Sequence, residues 1–172
     1  MRTRSSNRTA PTGIRRPQNS ALGTGLRLLG GRAHSRVEMQ RKLARRGYTA
    51  EEVDVALTRL EELGYLDDLA FAEGLVRVRS ASRGPRALSA ELAKRGVGRA
   101  QADRALASYD EALQLASAMR SIVRSYGKRE ITDYRDMLDQ VGSRLLRQGY
   151  SAVTVRAACR AVISGTPPPS EA

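Results

Sequence analysis

Leu43-Ala44-Arg45-Arg46-Gly47-Tyr48 is repeated twice further along the chain, as Leu92-Ala93-Lys94-Arg95-Gly96-Val97 and as Leu145-Leu146-Arg147-Gln148-Gly149-Tyr150. A leucine, a basic or polar pair, a glycine and an apolar residue in that order describe the end of a helix. The glycine takes the left-handed conformation past the last turn, and the apolar residue after it folds back on that turn. A pattern met three times fixes the architecture before any single element is considered.

Outward from each glycine, the apolar positions keep helical spacing. After it come Val53, Ala56, Leu57 and Leu60, then Ala102, Ala105, Leu106 and Tyr109, then Val155, Ala158, Cys159 and Val162. Before it come Met39 and Leu43, then Leu88 and Leu92, then Val141 and Leu145. Earlier still, Leu22, Leu26 and Leu29 match Phe71, Leu75 and Val78, and match Leu115, Met119 and Ile122. The first two copies are offset by 49 residues throughout, and the third carries nine extra residues over about 125–133. Strand-like alternation is absent. The expectation is an all-α chain of three tandem three-helix repeats, over residues 21–64, 65–109 and 110–165.

Local signals support the joints. Ser35-x-x-Glu38 and Thr49-x-x-Glu52 read as capping boxes, in which the hydroxyl accepts from a free helix N–H and the carboxylate reaches back. Gly84-Pro85 puts proline at a first helical position, where its missing N–H is harmless. Gly64-Tyr65 looks like a fourth helix stop. The first helix is the weakest by propensity, because Gly23, Gly25, Gly30 and Gly31 each cost about 1 kcal/mol relative to alanine when interior.

The chain has 172 residues, 28% charged and 4% aromatic, with a formal charge of +12. Residues 1–20 hold five arginines, no acid and no apolar periodicity, so they read as a disordered basic arm. Residues 166–172, with three consecutive prolines, read as a disordered tail. No apolar run has the ~18 residues of a membrane span, and no secretory signal is expected. One cysteine allows neither an intramolecular disulfide nor a cysteine-based zinc site, and one histidine no multi-histidine site. Of the 30 basic residues 27 are arginine, which G+C-rich coding explains as readily as selection for polyanion binding.

No constellation for catalysis emerges. His34 stands in the turn before Ser35 without a partner at motif spacing and is expected to be an exposed loop residue. Cys159 occupies the repeat position of Leu57 and Leu106 and is expected in the core. Tyr48, Tyr150 and Tyr65 serve as helix stops and Tyr109 as a core residue, which leaves Tyr126 and Tyr134 as the only candidates for stacking on bases. Asp67-Asp68 marks a helix start, where the dipole favours acids. The chain is therefore not expected to be an enzyme or to need a cofactor or metal.

Charge is segregated. Residues 61–73 carry five acids and no base, whereas residues 74–109 carry eight bases against Glu91 and Asp103. Arg77, Arg79, Arg83 and Arg86 flank the Gly84-Pro85 joint and are expected to form a binding surface with Lys94 and Arg95, since arginine forks suit phosphates and acidic side chains.

Ser35-x-x-Glu38 leading into Lys42-Leu43-x-x-x-Gly47, then Leu63-Gly64-Tyr65-Leu66-Asp67-Asp68-x-x-Phe71-Ala72, then Gly84-Pro85 and Glu91-Leu92-x-x-x-Gly96-Val97, resembles the RecX family of recombinase regulators. The resemblance covers about residues 21–165. It implies an elongated, curved array of modules that lies in the groove of the RecA recombinase–DNA filament. It further implies restraint of strand exchange, ATP hydrolysis and co-protease function, hence a role in recombination, DNA repair and the SOS response. The chain would act as a monomer in the cytoplasm, touching single- or double-stranded DNA without sequence preference, with no membrane or small-molecule partner. One competing reading is a helix-turn-helix module built from helices over 35–46 and 50–63. Its recognition helix would present Glu51, Glu52, Asp54, Glu61 and Glu62 against one Arg59, which repels a phosphate-lined groove. The other is a helical scaffold that contacts no nucleic acid.

Overall fold

The computed structural model describes residues 19–126 and 133–166. The expected arm, apart from Asn19 and Ser20, lies outside the described residues, as do most of the insertion and of the tail. Among the described residues every regular element is a helix: α1 (Ala21–Gly31), α2 (Arg36–Ala44), α3 (Ala50–Glu62), α4 (Asp68–Arg79), α5 (Pro85–Lys94), α6 (Arg99–Leu106), α7 (Glu111–Tyr126), α8 (Tyr134–Arg147) and α9 (Ala152–Ile163). They form three groups of three, each with its own apolar cluster. Met39, Leu43, Leu57 and Leu60 anchor the first, Leu88 and Leu92 the second, and Met119, Ile122, Leu145 and Cys159 the third.

The glycine stops behave as their sequence demands. Gly47, Gly96 and Gly149 have φ of 88°, 82° and 93°, and the residues after them, Tyr48, Val97 and Tyr150, are buried. At Gly64, φ is 71°, but the residue that turns inward is Leu66. Tyr65 is 59% exposed. The N–H groups of both Tyr65 and Leu66 reach the Leu60 carbonyl, at 2.9 and 3.2 Å, so the chain makes one more step before it enters the core.

The first helices of modules one and two differ from the expected face. In α1 the buried residues are Ala21, Thr24 and Gly25, while Leu22 and Leu29 are half-buried and Leu26 exposed. In α4, Phe71, Ala72 and Val76 are buried, Leu75 is half-buried and Val78 is 71% exposed. The reason in α1 is close approach: a Cβ on Gly25 would lie 2.8 Å from Leu60 Cδ1. Small residues on α1 therefore admit the bulky leucines of α3. Tyr48 also holds α1 at its start. Its hydroxyl donates to the Asn19 carbonyl at 2.6 Å and accepts from Thr24 Oγ1 at 2.7 Å. In the third module Met119 and Ile122 are buried and Leu115 half-buried, as the registry requires.

Successive modules join through one repeated device. The residue that caps the second helix of one module bonds the carbonyl just past the second helix of the next. At the first joint Ser35 Oγ donates to the Arg95 carbonyl at 2.5 Å. At the second the Gly84 N–H donates to the Gln148 carbonyl at 2.8 Å. Ser35 and Gly84 are 49 residues apart, so the two contacts are equivalent under the repeat. The glycine stops lie against the same helices. A Cβ on Gly96 would overlap Val37, and one on Gly149 would overlap Ala87.

Candidate interaction surface

The residues expected to form one basic cluster fall into two groups at opposite ends of α5. Arg77 and Arg79 close α4, Arg83 lies in the following turn, and Arg86 sits in the first turn of α5. All four are exposed. Lys94 ends α5 and Arg95 follows it, about 12 Å along the axis from Arg86 at 1.5 Å per residue. Arg86 stands at the positive end of a helix dipole, where a cation is disfavoured. Among the described residues Arg77, Arg79, Arg83, Arg86 and Lys94 form no ion pair.

Arg95 is engaged within the fold. Its guanidinium donates to Glu38 at 3.0 Å and to Glu91 at 2.9 Å, and its planar group stands 5.8 Å from the centre of the Phe71 ring. It thereby ties α2 to α5 across the first joint. Tyr109 performs a related task near the other arginines. It is buried and donates to the Ser80 and Arg83 carbonyls at 3.0 and 3.1 Å, which fixes the turn that carries Arg83. Burial, reinforced by the nearby Tyr150, pushes its ionisation well above the ordinary tyrosine value.

His34 was expected at the surface and is instead 3% exposed. Its Nδ1 donates to Glu38 at 3.1 Å, so the Glu38 carboxylate serves the joint and not the capping box assigned to it. The Ser35 half of that box is present, with Ser35 Oγ accepting from the Glu38 N–H at 3.1 Å. Arg32 also approaches Glu38, at 3.4 Å. Burial lowers the His34 pKa, helped by Arg32 and Lys42 and opposed by the Glu38 hydrogen bond. For Glu38 burial acts upward, but the His34 hydrogen bond with Arg32 and Arg95 outweighs it and holds the carboxyl below its ordinary range. Asp68, read only as a helix-start acid, accepts the Arg36 N–H at 2.8 Å and so also binds module two to α2. Asp67 caps α4 through the Leu69 and Ala70 N–H groups. Tyr134, one of the two stacking candidates, is half-buried against the third core.

Where α2 meets α5 there is a groove of about 600 Å³ lined by Arg32, Glu38, Arg41, Lys42, Arg45, Glu91, Lys94 and Arg95. Both acids are taken by Arg32 and Arg95. Arg41, Lys42, Arg45 and Lys94 have no ion pair among the described residues and leave the groove four positive charges in excess. Of the module-one cations, Arg45 reads from sequence only as part of a helix stop. The available signal was the 49-residue offset, which makes Arg45 and Lys94 equivalent. The arrangement presents four cations without ion-pair partners among the described residues, at the ends of two helices, suited to holding an extended anionic partner.

The fold and this surface define a class: tandem three-helix repeats that present a basic face. Residues 21–60 match the first three-helix domain of RecX, and residues 67–106 match the second. The regulatory protein RecX of Mycolicibacterium vanbaalenii is 41% identical over 135 residues, which cover 73% of each chain. The regulatory protein RecX of Stenotrophomonas maltophilia is 36% identical over 157 residues, 87% of this chain and 93% of that one. This chain belongs to the RecX family. The crystal structure of RecX from Lactobacillus salivarius superposes with a TM-score of 0.72 at 21% identity, covering 84% of this chain and 94% of that one, and so shares the fold.

Proposed function

We propose that this chain is a non-catalytic cytoplasmic regulator that binds the RecA–DNA filament as a monomer and restrains ATP hydrolysis, strand exchange and co-protease activity. The observation that carries the reading is the run of unpaired cations along module two and its first joint, on a chain of a family named for regulation. Arg41, Lys42, Arg45 and Lys94 line the groove, and Arg77, Arg79, Arg83 and Arg86 extend the basic face to the far end of α5. Arginine forks and lysine point charges suit phosphates and acidic side chains alike, both of which a nucleoprotein filament presents. Such exposed charges act chiefly on association rate and its salt dependence. The acidic outer face of α3 argues against sequence-specific duplex reading by that helix.

Reversing Arg41, Lys42, Arg45 and Lys94 to Glu should leave the helical signal intact and weaken inhibition of filament ATP hydrolysis tenfold or more, which is about 1.4 kcal/mol. Reversing Arg77, Arg79, Arg83 and Arg86 should slow association in the same direction. Both variants are compared with the parent at matched ionic strength. Unchanged inhibition by both would remove this surface from the mechanism.

A further inference from the structure

A second groove has the opposite character. It runs between α1 and α3, has a volume of about 900 Å³, and includes Asn19 and Ser20 in its wall. Leu22, Val55 and Ala56 supply its apolar part, and Val55 is 67% exposed although its neighbours on α3, Ala56 and Leu57, are core residues. Glu51, Glu52, Asp54 and Glu62 line it against the single base Arg59. Glu52 accepts the Thr49 N–H and Glu62 pairs with Arg59 at 2.9 Å. Asp54, however, reaches Arg36 only at 3.5 Å, and Glu51 has no ion pair among the described residues. The lining is three negative charges in excess, in a chain whose formal charge is +12.

The complementary segment belongs to the same chain. Residues 1–18 contain Arg2, Arg4, Arg8, Arg15 and Arg16 and no acid. They join the described residues at Asn19, in the groove wall, and the Tyr48 hydroxyl grips the Asn19 carbonyl there at 2.6 Å. Arg16 and Arg15 are three and four residues from that anchor, a reach of about 10–14 Å for extended chain. Ile14, beside them, offers an apolar side chain for the exposed Val55 surface. A tether this short gives the segment an effective concentration of order millimolar, which a free basic peptide would have to match.

We propose that the acidic groove between α1 and α3 is the docking site of the chain's own residues 1–18. The arginines pair with Glu51, Asp54 and Glu62 while Ile14 covers Val55. Docking holds five arginines away from polyanions until a stronger anion or raised ionic strength releases them, so the arm is a regulated second contact and not a permanent one. This inference stands independently of the reading of the basic groove.

The test uses the full chain with Thr9→Cys carrying a nitroxide. The native Cys159 is buried and escapes the label, which parallel treatment of the parent verifies. At ~25 mM salt the amide signals of Val55 and Thr58 should fall more than about twofold relative to the reduced label, and recover at ~500 mM, where screening is nearly complete. They should also recover at low salt in the Glu51→Gln, Asp54→Asn, Glu62→Gln triple variant. No broadening at low salt, or broadening that survives the triple variant, overturns the proposal. So does broadening that appears only between labelled and isotope-enriched chains in a mixture, which would make the occupant the arm of a second copy.

Discussion

At Gly84 the backbone has φ of −79°, open to any residue, yet a Cβ there would overlap the Gly149 carbonyl and the Tyr150 N–H group. Gly64 is the converse, with φ of 71° and nothing within 4 Å of where a Cβ would stand. Gly149 carries both constraints, φ of 93° and overlap with Ala87. Alanine substitution therefore separates backbone cost from packing cost. Gly64→Ala should destabilise by about 1–2 kcal/mol through the left-handed conformation alone. Gly84→Ala should cost about 1–3 kcal/mol through overpacking alone, and Gly149→Ala should exceed both. Urea denaturation of the three variants gives the order. Full parental stability in Gly84→Ala would mean that modules two and three do not meet as described.

The repeat was legible because α2, α3, α5 and α8 stop at a glycine that must take positive φ, and α2, α3 and α4 start at a Ser, Thr or Asp cap that local sequence announces; α6 begins and ends without either signal. Faces were less legible. A stripe of leucines at helical spacing says that a helix is amphipathic, but the partner selects which flank is buried, and Gly25 against Leu60 reversed the choice for α1. His34 was misjudged for a related reason: its partner Glu38 sits one helical turn away, but the burial comes from packing that local sequence does not display. The pair gives the α2–α5 joint a pH dependence. The His34 pKa is lowered on folding, so the unfolded chain binds more protons once pH falls below about 6.5. Stability is then fully present above that pH and declines as pH falls towards the folded value, by at most ~1.4 kcal/mol per pH unit for one proton. Glu38, lowered from 4.5, contributes stability above that value and loses it only in stronger acid. Between pH 7 and 5 the melting temperature of the parent should fall more steeply than that of His34→Gln. Parallel curves would show that some other group governs the slope.

At the scale of the whole molecule, the three apolar clusters among the described residues are separate, and neighbouring modules meet through hydrogen bonds, glycine contacts and ion pairs. Stability in such arrays is the sum of each module's own and of its interfaces. Damage should accordingly stay local. Cys159 is fully buried in the third cluster, and burial raises its thiol pKa, so it stays protonated and packs as an apolar residue. Cys159→Asp would place a carboxylate among the apolar side chains of that cluster, a cost that folding of one module cannot absorb. Cys159→Ala, which removes one sulfur atom, should cost no more than about 1–2 kcal/mol. The Asp variant should lose about two fifths of the helical signal, the share held by α7 to α9, while the rest melts in a separate, later step. Modules one and two keep their own cores, together with the Arg95–Glu38 and Ser35–Arg95 contacts between them. Circular dichroism through a thermal melt distinguishes the cases. Loss of all helix in one transition would show that the second joint, Gly84 against Gln148 and Ser117 against Ser80, couples the modules into a single folding unit.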